Sequence, residues 1–231
     1  MGDHVSNINA RYERHYAERT SEKVYPTEFV VRTVLAKYPR LNRRRPAPGD
    51  SILDVGFGDG RNTAFLCDCG LTVSGIEITR GIVDQTRVRL AKLGHRPDLR
   101  VGRNSSMPFA DAQFDYILAC HSCYYCDEGE SLHDNLREYS RVLKSDGFLI
   151  ASVANKASYI FDGAKELPDG SMLIVGDPYN NRNGYRLHCF TGTVDIEQYF
   201  SRLFKNFSFG SADNDYYGIL ERVFWVVCQK R

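Results

Sequence analysis

The stretch ILDVGFGDGRN, residues 52–62, constrains the fold of this chain more than any other segment. A short apolar run, residues 51–55, leads straight into Gly56, Gly58 and Gly60, and a helical pattern follows. An unbroken apolar run of that kind marks a strand buried on both faces of a parallel sheet. Glycines admit positive φ and let backbone N–H groups approach a ligand closely. The N-terminus of the following helix adds the positive end of a dipole. The pattern predicts a nucleotide-like ligand at the carboxyl ends of the strands, where open α/β sheets bind ligands.

The spacing narrows the ligand. A dinucleotide fingerprint G-x-G-x-x-G requires glycine at position 61, and this chain has Arg61. The following run, LTVSGIEI, reads as a second strand that ends at Glu77. A carboxylate there can accept from both hydroxyls of a ribose. A glycine loop between strand and helix, followed by an acid at the end of the next strand, is far more specific than the loop alone.

The rest of the core keeps the same rhythm. Thr79 caps a helix that Gly94 stops, LRVG and FDYILAC read as strands, residues 130–144 form a helix with Leu132, Leu136, Tyr139 and Leu143 on one face, and FLIASVA is a fifth strand. Alternating strands and helices predict an α/β, Rossmann-like fold with a mostly parallel sheet. Two stretches near the end, FKNFSFG and ERVFWVVCQ, complete a seven-stranded sheet with an antiparallel C-terminal edge strand. Before the core, residues 7–20 and the segment from Thr27 to Pro39 read as helices, the latter with Val31, Leu35 and Tyr38 at helical spacing. After Asn155 the rhythm breaks, and SMLIV and YRLHCF predict a hairpin around a DPYNNRNG turn region. The reading is one domain over 1–231, with an N-terminal helical lid at 1–45, a core at 50–154, a substrate-side insertion at 155–190 and the sheet edge at 191–231.

Composition limits the partners. The 231 residues carry a formal net charge of +1, which gives no electrostatic reason to expect nucleic acid or an acidic membrane surface. The triplet Arg43, Arg44 and Arg45 lies between prolines without interleaved aromatics and reads as a solvated surface loop. No apolar run is long enough for a membrane span. The polar first residues give no secretory leader to expect. An uneven set of seven cysteines reads as reduced thiols in a cytoplasmic protein.

On these residues the chain resembles the class I S-adenosylmethionine-dependent methyltransferases. ILDVGFGDG is similar to that family's first motif, and Glu77 in GIEIT to its ribose-binding acid. SSMPFADAQFDYILACHS and LREYSRVLKSDGFLIAS are similar to the blocks around the fourth and fifth strands. The resemblance covers roughly residues 50–155. It implies S-adenosyl-L-methionine as cofactor and methyl transfer to an O or N atom of a small-molecule acceptor, a sugar or other metabolite among them. It also implies that Gly56, Phe57, Gly58 and Gly60 wrap the methionine portion, that Asp54 acts through the loop on its amides or on the methionyl ammonium, and that Asn62 binds the cofactor, with Glu77 on the ribose and Ile78 on the adenine. Ser106 and Met107 would flank the adenine ring, and Cys120 would face the methionine. Many members have an aspartate in that loop to accept from the adenine amino group; here Asn104 or Ser105 would substitute.

On the substrate side the candidates are Tyr16, Tyr25, His121, Tyr179 and Tyr217, with Tyr12 as a further lid aromatic and His188 as a weaker candidate. Each tyrosine equally suits simple packing. His121 is the one placed candidate for a catalytic base; positioning the substrate, or facing inward, are its alternatives. Cys120, Cys123 and Cys126 stand close to His121, but no second Cys/His pair supplies the remaining ligand of a zinc site, so no metal is expected. The alternatives to an enzyme are a non-catalytic cofactor-binding module and, against Arg61, an NAD(P)-dependent oxidoreductase. A homodimer is compatible with the sequence.

Overall fold

The computed structural model describes residues 2–18 and 24–231, with side chains from residue 9 onward. The last residues of the helix expected over 7–20 lie outside the described residues. The N-terminal helices are α1 (Gly2–Ala17) and α2 (Glu28–Leu35). The core follows as β1 (Ser51–Val55), α3 (Arg61–Asp68), β2 (Thr72–Glu77), α4 (Arg80–Lys92), β3 (Asp98–Val101) and β4 (Phe114–Cys120). Then come β5 (Tyr125–Cys126), α5 (Leu132–Val142), β6 (Leu143–Ala154), β7 (Lys165–Glu166), β8 (Met172–Leu173), β9 (Arg186–Leu187), α6 (Thr193–Phe200), β10 (Phe204–Tyr216) and β11 (Ile219–Lys230).

Among the described residues the main sheet has seven strands in the order β10-β11-β6-β4-β1-β2-β3. Strands β3, β2, β1, β4 and β6 are mutually parallel. The antiparallel β11 lies between β6 and β10, so β10 takes the edge. Side chains alternate between the two faces of the sheet. Ile52, Tyr116, Leu118 and Ile150 pack with Phe29, Val30 and Val34 of α2 and Leu66 of α3. Their neighbours Leu53, Ile117, Ala119 and Leu149 pack with Leu136 and Tyr139 of α5 and with Ile196 and Phe200 of α6. This is why the central strands read as unbroken apolar runs.

Local chemistry sets the helix ends. Thr79 Oγ1 accepts from Ile82 N at the start of α4. Ser131 and Asp134 form a reciprocal capping box at the start of α5. The arginine triplet departs from the expected solvated loop. Arg43 donates to the backbone carbonyls of Thr33, Val34 and Ala36, at the C-terminal end of α2. Arg44 bonds Asp50 at 2.8 Å and lies over the Tyr116 ring. Both guanidiniums therefore tie α2 and the loop to the sheet.

The region after β6 forms a hairpin, β8 against β9, within a second sheet of order β5-β9-β8-β7. Tyr125 and Cys126 pair with Leu187 and Arg186, so the segment after β4 is stitched to the insertion. Among the described residues, no helix is long and apolar enough to cross a membrane.

Candidate active site

The glycine loop and Glu77 form one unit. β1 ends at Val55, and Gly56 N donates to Ile76 O at 2.9 Å. Gly58 N donates to Glu77 Oε1 at 3.0 Å, and Ile78 N donates to Oε2 at 2.9 Å. Burial pushes the Glu77 carboxyl up, against the pull of these two amides. Gly58 has a φ of +53°, and a Cβ there would stand 2.5 Å from the Tyr16 hydroxyl oxygen. Glycine is therefore required both by conformation and by the approach of α1. Gly60, also at positive φ, is the N-cap of α3, and a Cβ there would meet Thr86.

The loop opens on a cavity of about 1160 Å³ at the carboxyl ends of the parallel strands. Of the sequence candidates, Gly56, Phe57, Gly58, Asn62, Glu77, Ile78, Asn104, Cys120, His121 and Tyr16 line it. Others do not. Asp54 lies buried behind the loop and accepts from Thr63 Oγ1 at 2.7 Å, tying β1 to α3; burial pushes its carboxyl up to about 7. Its contact is thus with the helix behind the loop, and the lining residues do not include it. Ser105, Ser106 and Met107 also stay off the wall. Met107 is buried in the core, with its N–H bonded to Glu138 Oε1 at 2.7 Å, and Ser106 turns back onto Arg103. Tyr25 and Tyr179 are exposed and Tyr217 occupies a hairpin turn at φ 56°, so none of the three reaches the cavity. His188 is held between the rings of Phe190 and Tyr199, away from it.

Asn104 has a different task from the one expected. Its Nδ2 donates to Ser122 O at 2.8 Å and Tyr125 O at 3.0 Å, while its Oδ1 accepts from Tyr139 OH at 2.8 Å. The side chain is a brace for the turn after β4, and its amide oxygen is already engaged. His121 sits in that turn at φ 55°, with its N–H on Ser152 Oγ at 3.0 Å. Burial, with Arg182 nearby, pushes its imidazole down to about 4. His121 is therefore neutral at pH 7 and a weak base.

Arg182, Tyr125, Asn181 and Glu221 line the wall and were not singled out from the sequence. Arg182 Nε donates to Tyr125 OH at 3.0 Å and its Nη1 to Tyr159 OH at 3.3 Å. Tyr12 OH lies 3.5 Å from Tyr125 OH, and Tyr185 OH donates to Asn9 Oδ1 at 3.1 Å. Asn181 Nδ2 meets His15 Nδ1 at 3.0 Å. These bonds join α1 to the insertion across the cavity. Glu221, from the start of β11, completes the far wall; burial pushes its carboxyl up against the pull of Arg182 and a bond with Asn214. Tyr12, read from the sequence as a lid aromatic, lines the cavity. Nothing local marks Arg182 or Glu221.

The cysteines near His121 stay apart from this chemistry. All are free thiols, Cys123 and Cys126 are packed in the core, and burial pushes Cys120 up to about 11. Among the described residues, no group of three or more His, Cys, Asp or Glu side chains is placed to hold a metal ion.

Known proteins share this fold and domain type. A methyltransferase-domain family model matches residues 53–151. The methyltransferase GfsG of Streptomyces halstedii is 33% identical over 157 residues, covering 64% of this chain and 55% of the relative. An O-methyltransferase of Pyrenophora dematioidea is 29% identical over 127 residues, covering 52% of this chain and 45% of the relative. The chain thus spans about half the length of these curated relatives. Among solved structures, an S-adenosylmethionine-dependent methyltransferase of Methanosarcina mazei superposes with a TM-score of 0.65 at 21% identity, over 85% of this chain and 99% of that one. A protein of Pyrococcus horikoshii OT3 superposes with a TM-score of 0.63 at 18% identity, over 87% of this chain and 88% of that one. Residues 53–151 thus match a methyltransferase domain, and the cofactor of such domains is S-adenosylmethionine. The residues present fit it: Glu77 offers a carboxylate held by two amides for a ribose diol, Ile78 offers an apolar face for a purine, and the glycine loop offers close backbone approach.

Proposed function

We propose that this protein transfers a methyl group from S-adenosylmethionine to an oxygen or nitrogen atom of a small-molecule acceptor. The observation that carries the reading is the Glu77 carboxylate, fixed by Gly58 N–H and Ile78 N–H at the edge of a cavity with room beyond the glycine loop. When bound, the cofactor supplies a methyl group on a sulfonium, a good leaving group. Alignment and exclusion of water are then the main tasks of the protein.

The chain's own residues divide those tasks. Gly56, Phe57 and Gly58 hold the methionine portion, Glu77 the ribose and Ile78 the adenine. Asp54 and Asn104 act as positioning residues, the first on the loop through Thr63 and the second on the turn that carries His121. Cys120 and His121 stand at the end of β4, between the cofactor and acceptor sides. The lowered basicity of His121 supports a hydrogen-bonding, orienting role over that of general base. Tyr12 and Tyr16 of α1 close the cavity from above. The polar far wall of tyrosines, Arg182 and Glu221 supports a small polar acceptor.

Calorimetry tests the reading. S-adenosylhomocysteine, the demethylated product, is expected to bind and NAD is not. Turnover with a panel of oxygen and nitrogen acceptors then separates an enzyme from a non-catalytic binding module. Binding of NAD without S-adenosylhomocysteine would overturn the proposal.

A further inference from the structure

Among the described residues, each arginine that lines the cavity is matched by an aspartate. Arg61 Nη2 meets Asp59 Oδ2 at 2.6 Å, and Arg103 Nη1 meets Asp127 Oδ1 at 2.6 Å. Arg186 pairs with Asp169, and Arg182 Nη1 stands 3.5 Å from the buried Asp177 Oδ1. Three other carboxylates remain on the wall: Glu77, Glu128 and Glu221. Glu77 is engaged by the two amides, and Glu128 is exposed at the rim. Glu221 is half-buried, and among the described residues no ion pair closes on it. The nearby Arg182 is already turned to Asp177, Tyr125 and Tyr159.

The strand order places this carboxylate on the acceptor side. Glu77 ends β2 and Glu221 lies near the start of β11, and β4, which ends at Cys120 beside His121, lies between those two strands in the sheet. A desolvated carboxylate without a cation is costly, and a ligand that brings the cation removes the cost. The burial that raises the Glu221 carboxyl reports the same deficit. The rings of Tyr12, Tyr125 and Tyr185 line the same cavity, and phenol faces attract cations. His121, neutral at pH 7, adds no opposing charge.

We propose that the methyl acceptor is an amine and that Glu221 holds its cationic nitrogen on the far wall of the cavity. This rests on the reading of the protein as an S-adenosylmethionine-dependent methyltransferase. The bound ammonium gives one proton to the Glu221 carboxylate. The freed nitrogen pair forms the N–CH3 bond as the methyl–sulfur bond breaks, and the sulfur keeps that bond's electrons. Glu221 returns its proton to water as the methylated ammonium leaves.

The test uses the whole protein saturated with S-adenosylhomocysteine. Ligand-observed NMR titrations compare three probes that differ only in their polar end: phenethylamine, phenethyl alcohol and phenylpropionate. The amine is expected to bind about tenfold more tightly than the alcohol, as a charge-assisted contact should. Glu221→Gln is expected to remove that preference while leaving affinity for S-adenosylhomocysteine within about twofold, which also shows that the variant is folded. Equal or tighter binding of the alcohol or the carboxylate overturns the proposal, and so does failure of the amine to bind. An amine preference that survives in Glu221→Gln overturns it as well. If Glu221→Gln does not fold, the wild-type comparison of the three probes decides. Failure of S-adenosylhomocysteine to bind the wild type overturns the underlying functional reading, whereas failure confined to the probes overturns the amine assignment alone.

Discussion

Gly58 N–H and the Glu77 carboxylate are joined by a 3.0 Å hydrogen bond, so the glycine loop after β1 and the acid at the end of β2 hold each other in place. The second carboxylate oxygen is fixed by Ile78 N–H. Two features that are separate in the sequence become one rigid binding edge.

The closeness of Tyr16 to Gly58 gives the first prediction. Gly58→Ala forces a Cβ into the Tyr16 hydroxyl and a side chain into left-handed backbone. Affinity for S-adenosylhomocysteine should fall about tenfold, the scale of one strained residue. Hydrogen exchange should rise in α1 in the same variant. Unchanged exchange in α1 would mean that Tyr16 does not rest on the loop.

Asn104 braces three groups from two directions. Asn104→Ala leaves two carbonyls and a tyrosine hydroxyl short of a partner, and should cost roughly 2 kcal/mol of stability. Urea unfolding measures this directly. A change below about 0.5 kcal/mol, the range of an ordinary surface substitution, would remove Asn104 from the brace.

His121 should titrate well below the ordinary imidazole range. Its folded value, near 4, lies below its ordinary value, so the native state holds it neutral. The stability this contributes is fully present above about pH 6.5 and is lost as pH falls toward 4. NMR of the imidazole carbons should show a histidine signal with no titration between pH 5.5 and 8 that vanishes in His121→Asn. A midpoint near neutrality would restore His121 as a candidate base.

Asp54 carries the opposite sign. Its folded value, near 7, lies above that of an unfolded aspartate, so the native state keeps the proton longer. Native stability therefore falls as pH rises from about 4 to about 7. Asp54→Asn keeps an acceptor for Thr63 and removes the titration. Melting temperature, compared between pH 5 and 7.5, should shift in favour of the variant as pH rises. A constant offset between the two proteins would contradict the buried carboxyl.

What the sequence disclosed follows from how local each signal is. The strand, glycine loop and Glu77 are contiguous patterns whose geometry is set by backbone chemistry, and they define both the sheet and the cofactor-side wall. The far wall is non-local. Tyr125 and Leu187 meet through two-residue strands that no periodicity reveals. Arg182 lies in a polar turn region that reads as loop, and Glu221 reads as the charged start of an edge strand. Met107 was expected at the adenine but is drawn into the core, where its apolar side chain is buried and its amide is held by Glu138. Arg43 looked solvated because its partners are backbone carbonyls, which carry no sequence signature.

The most direct test is a calorimetric titration of S-adenosylhomocysteine into the wild type and Glu77→Gln. The wild type should bind, and the variant should bind roughly tenfold to a hundredfold more weakly, because an amide NH2 replaces an oxygen that accepts from backbone and ribose. Wild-type affinity retained in a folded Glu77→Gln, or no binding by the wild type, would contradict the cofactor site described for this chain.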